Sequence, residues 1–301
     1  MKRVVALGFF DGVHIGHAAL LNQTRLRAEE LNAEPAAISF DVHPDTLVFG
    51  TSVPLITGNA GREAIMERLF GIHEVLLIHF DEETMHMPWE TFLDRMVEKY
   101  DAVHFVVGHD FRFGNRGEGN GERIQEYCAA HGLTCDVVPP VYLDGEIVSS
   151  TAIRQMLLAG DMERANQFLG HPYELIDTVQ HGYHLGSKMG TPTVNLRMEP
   201  DMLVPRYGVY ATKVYLEDGR TYPGVTNIGV RPTVSGEDRH VTVETFLLDF
   251  SGDLYHQKIR VEFFHFVRPE QKFPDIDALR AQILRDAETS RRYFRESALQ
   301  A

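Results

Sequence analysis

Apolar and polar positions follow two different rhythms along this chain. From Val4 to Val138, short apolar runs recur at Val4–Phe10, Ala36–Phe40, Glu74–Phe80, Val103–Val107 and Thr134–Val138. Between them lie stretches of helical spacing. Ile15–Asn32 places Leu21, Thr24, Ala28 and Leu31 on one stripe; Gly61–Phe70, Pro88–Tyr100 and Arg123–His131 follow. This alternation predicts parallel strands joined by right-handed helical crossovers, a doubly wound sheet whose ligands sit outside the carboxyl ends of the strands. Two short helices follow, Ser150–Ala159 and Asp161–Leu169, the second capped by Asp161 and ended by Gly170. After His171-Pro172 the period becomes two. Val241, Val243, Thr245 and Leu247 face one way, and Glu244, Phe246, Leu248 and Phe250 the other. Turns at Glu217-Asp218-Gly219 and Ser251-Gly252-Asp253 separate short strands, which predicts a small antiparallel barrel. Ile276, Leu279, Ile283, Ala287 and Phe294 then mark one amphipathic helix. The expected architecture is α/β followed by β: a doubly wound domain over 1–172, then a β-barrel with a C-terminal helix over 173–301.

Composition narrows the class. Hydrophobic residues make up 44% and charged residues 24% of the 301, as in soluble globular proteins. No apolar run approaches the ~20 residues of a membrane-spanning helix. The basic and then apolar N-terminus reaches Asp11 too soon for a secretory signal. Cys128 and Cys135 are too few for a disulfide framework, so a reducing cytoplasm is expected. With 29 Lys and Arg against 43 Asp and Glu, the net charge is −14. That sign disfavours nucleic acid and anionic membranes as partners. A phosphorylated ligand then needs locally concentrated positive potential.

Gly8-Phe9-Phe10-Asp11-Gly12-Val13-His14-Ile15-Gly16-His17 offers such a place. A strand ends, the chain turns, and two histidines three apart share one face of a helix N-terminus. Free backbone N–H groups and the helix dipole favour an anion there, and the imidazoles can donate to charge developing on a phosphate. A pair that merely caps the helix, or a His-x-x-His zinc site, are the competing readings. Neither a Walker A loop nor a dinucleotide fingerprint occurs. Ser149-Ser150-Thr151-Ala152-Ile153-Arg154 sets hydroxyls and an arginine at a second helix N-terminus. Val107-Gly108-His109-Asp110-Phe111-Arg112-Phe113-Gly114 ends a strand in a glycine-rich loop, by itself consistent with a surface excursion.

Together these three segments resemble the adenylyltransferase half of the bacterial bifunctional riboflavin kinase/FAD synthetase family, which implies a Rossmann-like nucleotidyltransferase domain. The resemblance implies His14 and His17 on ATP phosphates. It places Gly8, Phe10, Asp11, Gly16, Asp110, Ser150, Thr151 and Arg154 around the nucleotide, and Asp41, His43 and Pro44 beside the reacting groups. Val42 stands where the family usually has proline.

The second half carries Gly186-Ser187-Lys188-Met189-Gly190-Thr191-Pro192-Thr193-Val194-Asn195. Thr193 and Asn195 project to one side of an extended segment, and their hard oxygens suit Mg2+; an ordinary Gly/Pro turn is the simpler alternative. Glu244 lies mid-strand among apolar neighbours, where a carboxylate is costly unless it is paired or working. A general base would be placed so. The alternative is a rim glutamate paired with Arg231 or Arg260. These segments, with Pro205–Ala211 and Gly224–Thr233, resemble the flavokinase half of the same family in the family order. The resemblance implies Thr193 and Asn195 on Mg2+, Glu244 as base toward the ribityl 5′-hydroxyl, and Gly186, Lys188, Gly190, Pro192, Asn227 and Arg231 around ATP and flavin. Ser187, Thr191 and Val194 replace the family's usual Arg, Phe and Ala, and Lys188 can supply the missing charge. The expected function is phosphorylation of riboflavin to FMN and adenylylation of FMN to FAD, with ATP as substrate of both. Another small-molecule nucleotidyltransferase and a flavin-binding sensor are the rivals; the oligomeric state is not readable from the sequence.

Overall fold

The computed structural model describes residues 1–180, 193–232 and 239–299. The chain divides into two compact units, Met1–Ser150 and Thr151–Ala301.

In the first unit five parallel strands, β1 (Arg3–Leu7), β2 (Glu34–Phe40), β3 (Glu74–Ile78), β4 (Ala102–Gly108) and β5 (Thr134–Val138), lie in the order β3-β2-β1-β4-β5. Both faces of the sheet are covered, which is why the strands read as unbroken apolar runs. Val4 and Ala6 pack with Leu20, Leu21 and Ala28 of α1 (Ile15–Leu31) and with Ile65 and Met66 of α3 (Asn59–Phe70). Val5 and Leu7 pack with Phe92, Leu93 and Met96 of α5 (Trp89–Tyr100) and with Ile124 and Tyr127 of α6 (Gly121–His131). Two short helices not expected from the sequence, α2 (Pro44–Phe49) and α4 (Glu82–Met85), follow β2 and β3, and a hairpin of β6 (Tyr142–Leu143) and β7 (Glu146–Ile147) precedes Ser150. Strand order reverses between β1 and β4, so the crevice of the switch point opens beyond Leu7 and Gly108. Both N-terminal motifs start there.

The first strand ends at Leu7, not Phe10 as expected. Phe10 (φ 58), Gly12 (φ 79) and Val13 (φ 44) take left-handed backbone, which no strand accommodates, and the turn Asp11–Val13 swings the chain into α1.

Two helices, α7 (Ser150–Ala159) and α8 (Met162–Leu169), lead into the second unit. α8 is tied to the barrel by Asn166, which donates to the Phe263 carbonyl at 2.7 Å and accepts from Tyr173 N–H at 2.8 Å. By packing, then, the chain divides before these helices; residue 172 is where the sequence changes rhythm. Six antiparallel strands follow: β8 (Tyr173–Thr178), β9 (Thr193–Leu196), β10 (Gly208–Leu216), β11 (Thr221–Pro232), β12 (Arg239–Leu247) and β13 (Lys258–Arg268). They order as β8-β13-β10-β11-β12-β9, and a bridge between Gln180 and Asn195 brings the two ends of the sheet together into a barrel. On β12, Val243, Thr245 and Leu247 are buried, and Glu244 and Phe246 half-buried, as the alternation requires. The C-terminal helix α9 (Ile276–Ala298) lays Ala287 against Val209, Val225 and Leu248, and Ser290 donates to the Gly224 carbonyl at 2.8 Å. Ile276, expected on the packed stripe, is exposed in the first turn.

Candidate active sites

At the carboxyl end of β1, His14 is nearly buried and caps α1: its Nδ1 accepts the His17 N–H at 3.3 Å. An accepting Nδ1 is unprotonated, so the ring hydrogen of the neutral imidazole sits on Nε2. The two imidazoles stack with centroids 3.6 Å apart. Capping and anion binding are therefore compatible uses of this pair. The Nδ1 of His17 is out of solvent and has no hydrogen-bond partner among the described residues. Burial first, then the neighbouring His14 and Arg62, holds the His17 imidazolium well below its ordinary range. A neutral ring with an orphaned nitrogen at a helix N-terminus is suited to meeting a phosphate group.

Gly16 makes room for the His14 ring: a Cβ there would lie 2.9 Å from His14 Cε1. Gly8 likewise accommodates the Phe10 ring. Phe10 and Asp11, expected at the nucleotide, are both buried. Phe10 is fully enclosed and sets its ring edge-on to His17 at 5.2 Å. The Asp11 carboxylate accepts the N–H groups of Ile56 and Thr57 at 2.9 and 3.1 Å. Both support the turn. Ser150 donates to the Asp11 carbonyl at 3.0 Å, bringing the third motif to the first. Asp110, just past β4, is exposed. Thr151 and Arg154 continue along α7 in the second unit.

Beyond β2, the Asp41 carboxylate binds His79 Nδ1 at 2.7 Å and the Phe80 N–H at 3.1 Å. Burial alone would raise its pKa, but these bonds prevail and hold it below the usual range; His79 is raised in turn. His43 caps α2 by accepting the Asp45 N–H, with Pro44 in the first turn, and sets its ring edge-on to Phe9 at 4.5 Å. The sequence reading missed Phe9, Asn59, His79 and Arg62. The guanidinium of Arg62 lies 4.5 Å over the Phe9 ring, and Asn59 donates to the Asp41 carbonyl at 3.1 Å. The one available signal was an arginine on the same stripe as Ile65 and Met66.

In the barrel, register assembles what the sequence left scattered. Glu244 of β12 stands directly opposite Asn195 of β9 on one side and Asn227 of β11 on the other. Directly opposed residues share a face, so an amide, a carboxylate and an amide line up across three strands, with Thr193 two residues from Asn195 on the same side. All four are half-buried. Hydroxyl, amide and carboxylate oxygens converging on one face are the hard donors a Mg2+ ion takes. Asn227 also donates to Glu270 at 3.3 Å. Arg260, considered as a partner for Glu244, is engaged elsewhere, between Glu174 and Glu262 and 3.9 Å over the Tyr215 ring. Arg231 lies on β11 opposite His240. A cavity of about 160 Å³ beside Thr193 is lined by Val179, Leu247, Phe250 and Tyr255. Gly186, Ser187, Lys188, Gly190, Thr191 and Pro192 lie outside the described residues.

Comparison with known proteins matches both halves. A family model described as FAD synthetase matches residues 1–152, and one described as riboflavin kinase matches residues 169–294. A bifunctional riboflavin kinase/FMN adenylyltransferase of Pseudomonas fluorescens is 36% identical, covering 98% of this chain and 94% of its own. The protein of that name from Listeria monocytogenes is 32% identical over 98% and 93%, and that from Haemophilus influenzae 34% over 96% and 94%. A crystal structure described as a macrolide-efflux protein from Streptococcus pneumoniae shares the fold with a TM-score of 0.82 and 26% identity, covering 96% of this chain and 94% of that one. Its name speaks of efflux, whereas both family models that match this chain are flavin enzymes. With both models matched in order and relatives above 30% identity over nearly its whole length, this chain belongs to the bifunctional riboflavin kinase/FMN adenylyltransferase family.

Proposed function

We propose that the two reactions of the family divide along the chain near residue 172, each on the cluster described above. The chain phosphorylates riboflavin to FMN and adenylylates FMN to FAD, with ATP as the second substrate of both steps. In the barrel, Glu244 takes the proton of the riboflavin 5′-hydroxyl as that oxygen bonds the γ-phosphorus of ATP and ADP departs. Thr193 and Asn195 would hold Mg2+, which when bound neutralises phosphate charge. Asn227 orients the groups around Glu244. In the doubly wound unit, an FMN phosphate oxygen bonds the α-phosphorus of ATP, the bond to the β-phosphate oxygen breaks, and pyrophosphate leaves. His14 and His17 donate to the charge that builds on those phosphates, at a helix N-terminus already favourable to anions. Ser150 holds the turn, and Asp41, His43 and Pro44 line the FMN side. Gly186, Lys188, Gly190, Pro192 and Arg231 complete the kinase site, and Asp110, Thr151 and Arg154 the adenylyltransferase site. Two free cysteines, their thiols pushed by burial up to about 11 and about 12, fit a cytoplasmic location.

The observation that carries the reading is the Asn195–Glu244–Asn227 row: it needs three strands to pair in this one register, and it lies within the segment that matches riboflavin kinase. Incubation with riboflavin, ATP and Mg2+, followed by chromatography, tests it. FMN should appear first and FAD after it. A product adenylylated on another acceptor, or flavin bound without turnover, would replace this reading with one of its rivals.

A further inference from the structure

Arg62 is the largest side chain fully out of solvent among the described residues. One terminal nitrogen donates to the Phe9 carbonyl and to Ser39 Oγ at 2.8 Å; the other donates to the Phe40 carbonyl at 2.8 Å and to Asn59 Oδ1. Every one of these acceptors is neutral. Asp11, Glu63 and Asp41 act on the guanidinium through space, without a hydrogen bond, and its Nε is buried with no partner among the described residues. Carbonyls and hydroxyls solvate a buried charge without cancelling it, and the three carboxylates offset it only through space, so it stays costly to bury. A ligand that brings further negative charge to this place would offset the rest.

The bonds say where that ligand lies. Phe9 belongs to the turn that leads to His14 and His17. Ser39, Phe40 and Asn59 belong to the end of β2 and to the residue that grips the Asp41 carbonyl. The Phe9 ring itself is held between the Arg62 guanidinium and the edge of His43. One side chain thus joins the phosphate-facing turn to the Asp41–Pro44 loop, and its charge reaches His17.

We propose that Arg62 is a positioning residue of adenylyl transfer: its fork locks the Phe9–His17 turn against the Asp41–Pro44 loop, and its buried charge adds to the positive field that receives the ATP phosphates. The inference rests on the reading that FMN is adenylylated at His14 and His17. Carrying charge without solvent contact, Arg62 acts through its neighbours and touches no substrate.

Three full-length variants test it: Arg62→Met removes the charge, Arg62→Lys keeps it without the fork, and His17→Ala tests the site itself. Calorimetric unfolding of the whole chain, with both transitions retained, reports that each remains folded. Inorganic pyrophosphate with Mg2+, titrated calorimetrically, is the probe. Arg62→Met should bind it at least about 10-fold more weakly, and FAD formation from FMN should fall about 10²-fold. The ring resonances of His17, which faces His14, Arg62 and the Phe10 ring, should titrate at higher pH in Arg62→Met and unchanged in Arg62→Lys. A residue that merely fills the core would move stability and leave that titration alone. Arg62→Lys should bind pyrophosphate within about three-fold of wild type while FAD formation falls, because charge survives and geometry does not. Wild-type pyrophosphate binding in folded Arg62→Met overturns the proposal. Should that variant not fold, loss of pyrophosphate binding in Arg62→Lys, in step with its loss of FAD formation, overturns it instead. If His17→Ala forms FAD normally, the reading of the site has failed; if only the Arg62 variants behave as wild type, the inference alone has.

Discussion

His17 combines two properties that rarely coincide: a ring nitrogen with no partner, and surroundings that resist its protonation. The second makes a stability statement. The folded pKa lies below the unfolded value of about 6.5, so the native state binds fewer protons in that interval. The associated stability is fully present above about pH 6.5 and is lost as the pH falls toward the folded pKa. His104, lowered chiefly by its burial against the opposing pull of Asp136, adds to the same slope. The unfolding temperature should therefore drop on acidification below about pH 6.5, and His17→Gln should flatten part of that drop. Equal slopes in the two proteins, measured by calorimetry, would count against the assignment. At this scale legibility followed distance along the chain. His14, His17 and Ser150 were readable because a strand end, a turn and a helix start are local events. Arg62 was not, because its acceptors Phe40 and Phe9 lie 22 and 53 residues away and only the folded sheet brings them together.

Elements show a similar division. The long strands and helices of the first unit were legible because each has a buried face wide enough to impose a period. α2 and α4, of six and four residues, are too short to show one, and they pass for loop in the sequence. β1 ends early, at Leu7, where the chain turns: Phe10 takes left-handed backbone and sets its enclosed ring edge-on to His17. In the barrel the period of two showed which residues share a strand face, but not which strands are neighbours. That Glu244 lies between Asn195 and Asn227 is a property of register, set by pairings with segments on either side of it in the sheet. Gly16 offers a test of one element. Alanine is favoured over glycine by up to about 1 kcal/mol in a helix interior, and by less in the first turn, where Gly16 lies. Against that, a Cβ 2.9 Å from His14 Cε1 forces the capping ring to move. The two effects roughly cancel in stability, but only the second touches the site. Gly16→Ala should keep an unfolding temperature near wild type and lose about 10²-fold in FAD formation from FMN, in line with one misplaced donor. Full activity in that variant would show that the stacked arrangement of the histidines is dispensable.

For the molecule as a whole, charge and division of labour decide behaviour. A net charge of −14 leaves little surplus cation to meet two triphosphates. Both steps should therefore stop when divalent metal is chelated and resume with Mg2+ alone; stoichiometric zinc whose removal abolishes activity would contradict this. The division of labour is sharper to test, because His14 and His17 lie in the stretch that matches FAD synthetase and Glu244 in the stretch that matches riboflavin kinase. Glu244→Gln keeps the shape of the side chain and removes the carboxylate proposed as base. Riboflavin phosphorylation should fall by about 10²–10⁴-fold, the usual worth of a positioned base. FMN supplied directly to the same variant should still become FAD. His17→Ala removes the imidazole proposed to meet developing phosphate charge, at an expected cost on the order of 10²–10³-fold. That variant should still convert riboflavin to FMN and accumulate it. Each variant is assayed twice, once from riboflavin and once from FMN. The crossed outcome, FAD formation from FMN lost in Glu244→Gln or FMN formation lost in a folded His17→Ala, would mean that the two chemistries share residues, and the division near residue 172 would fall with it.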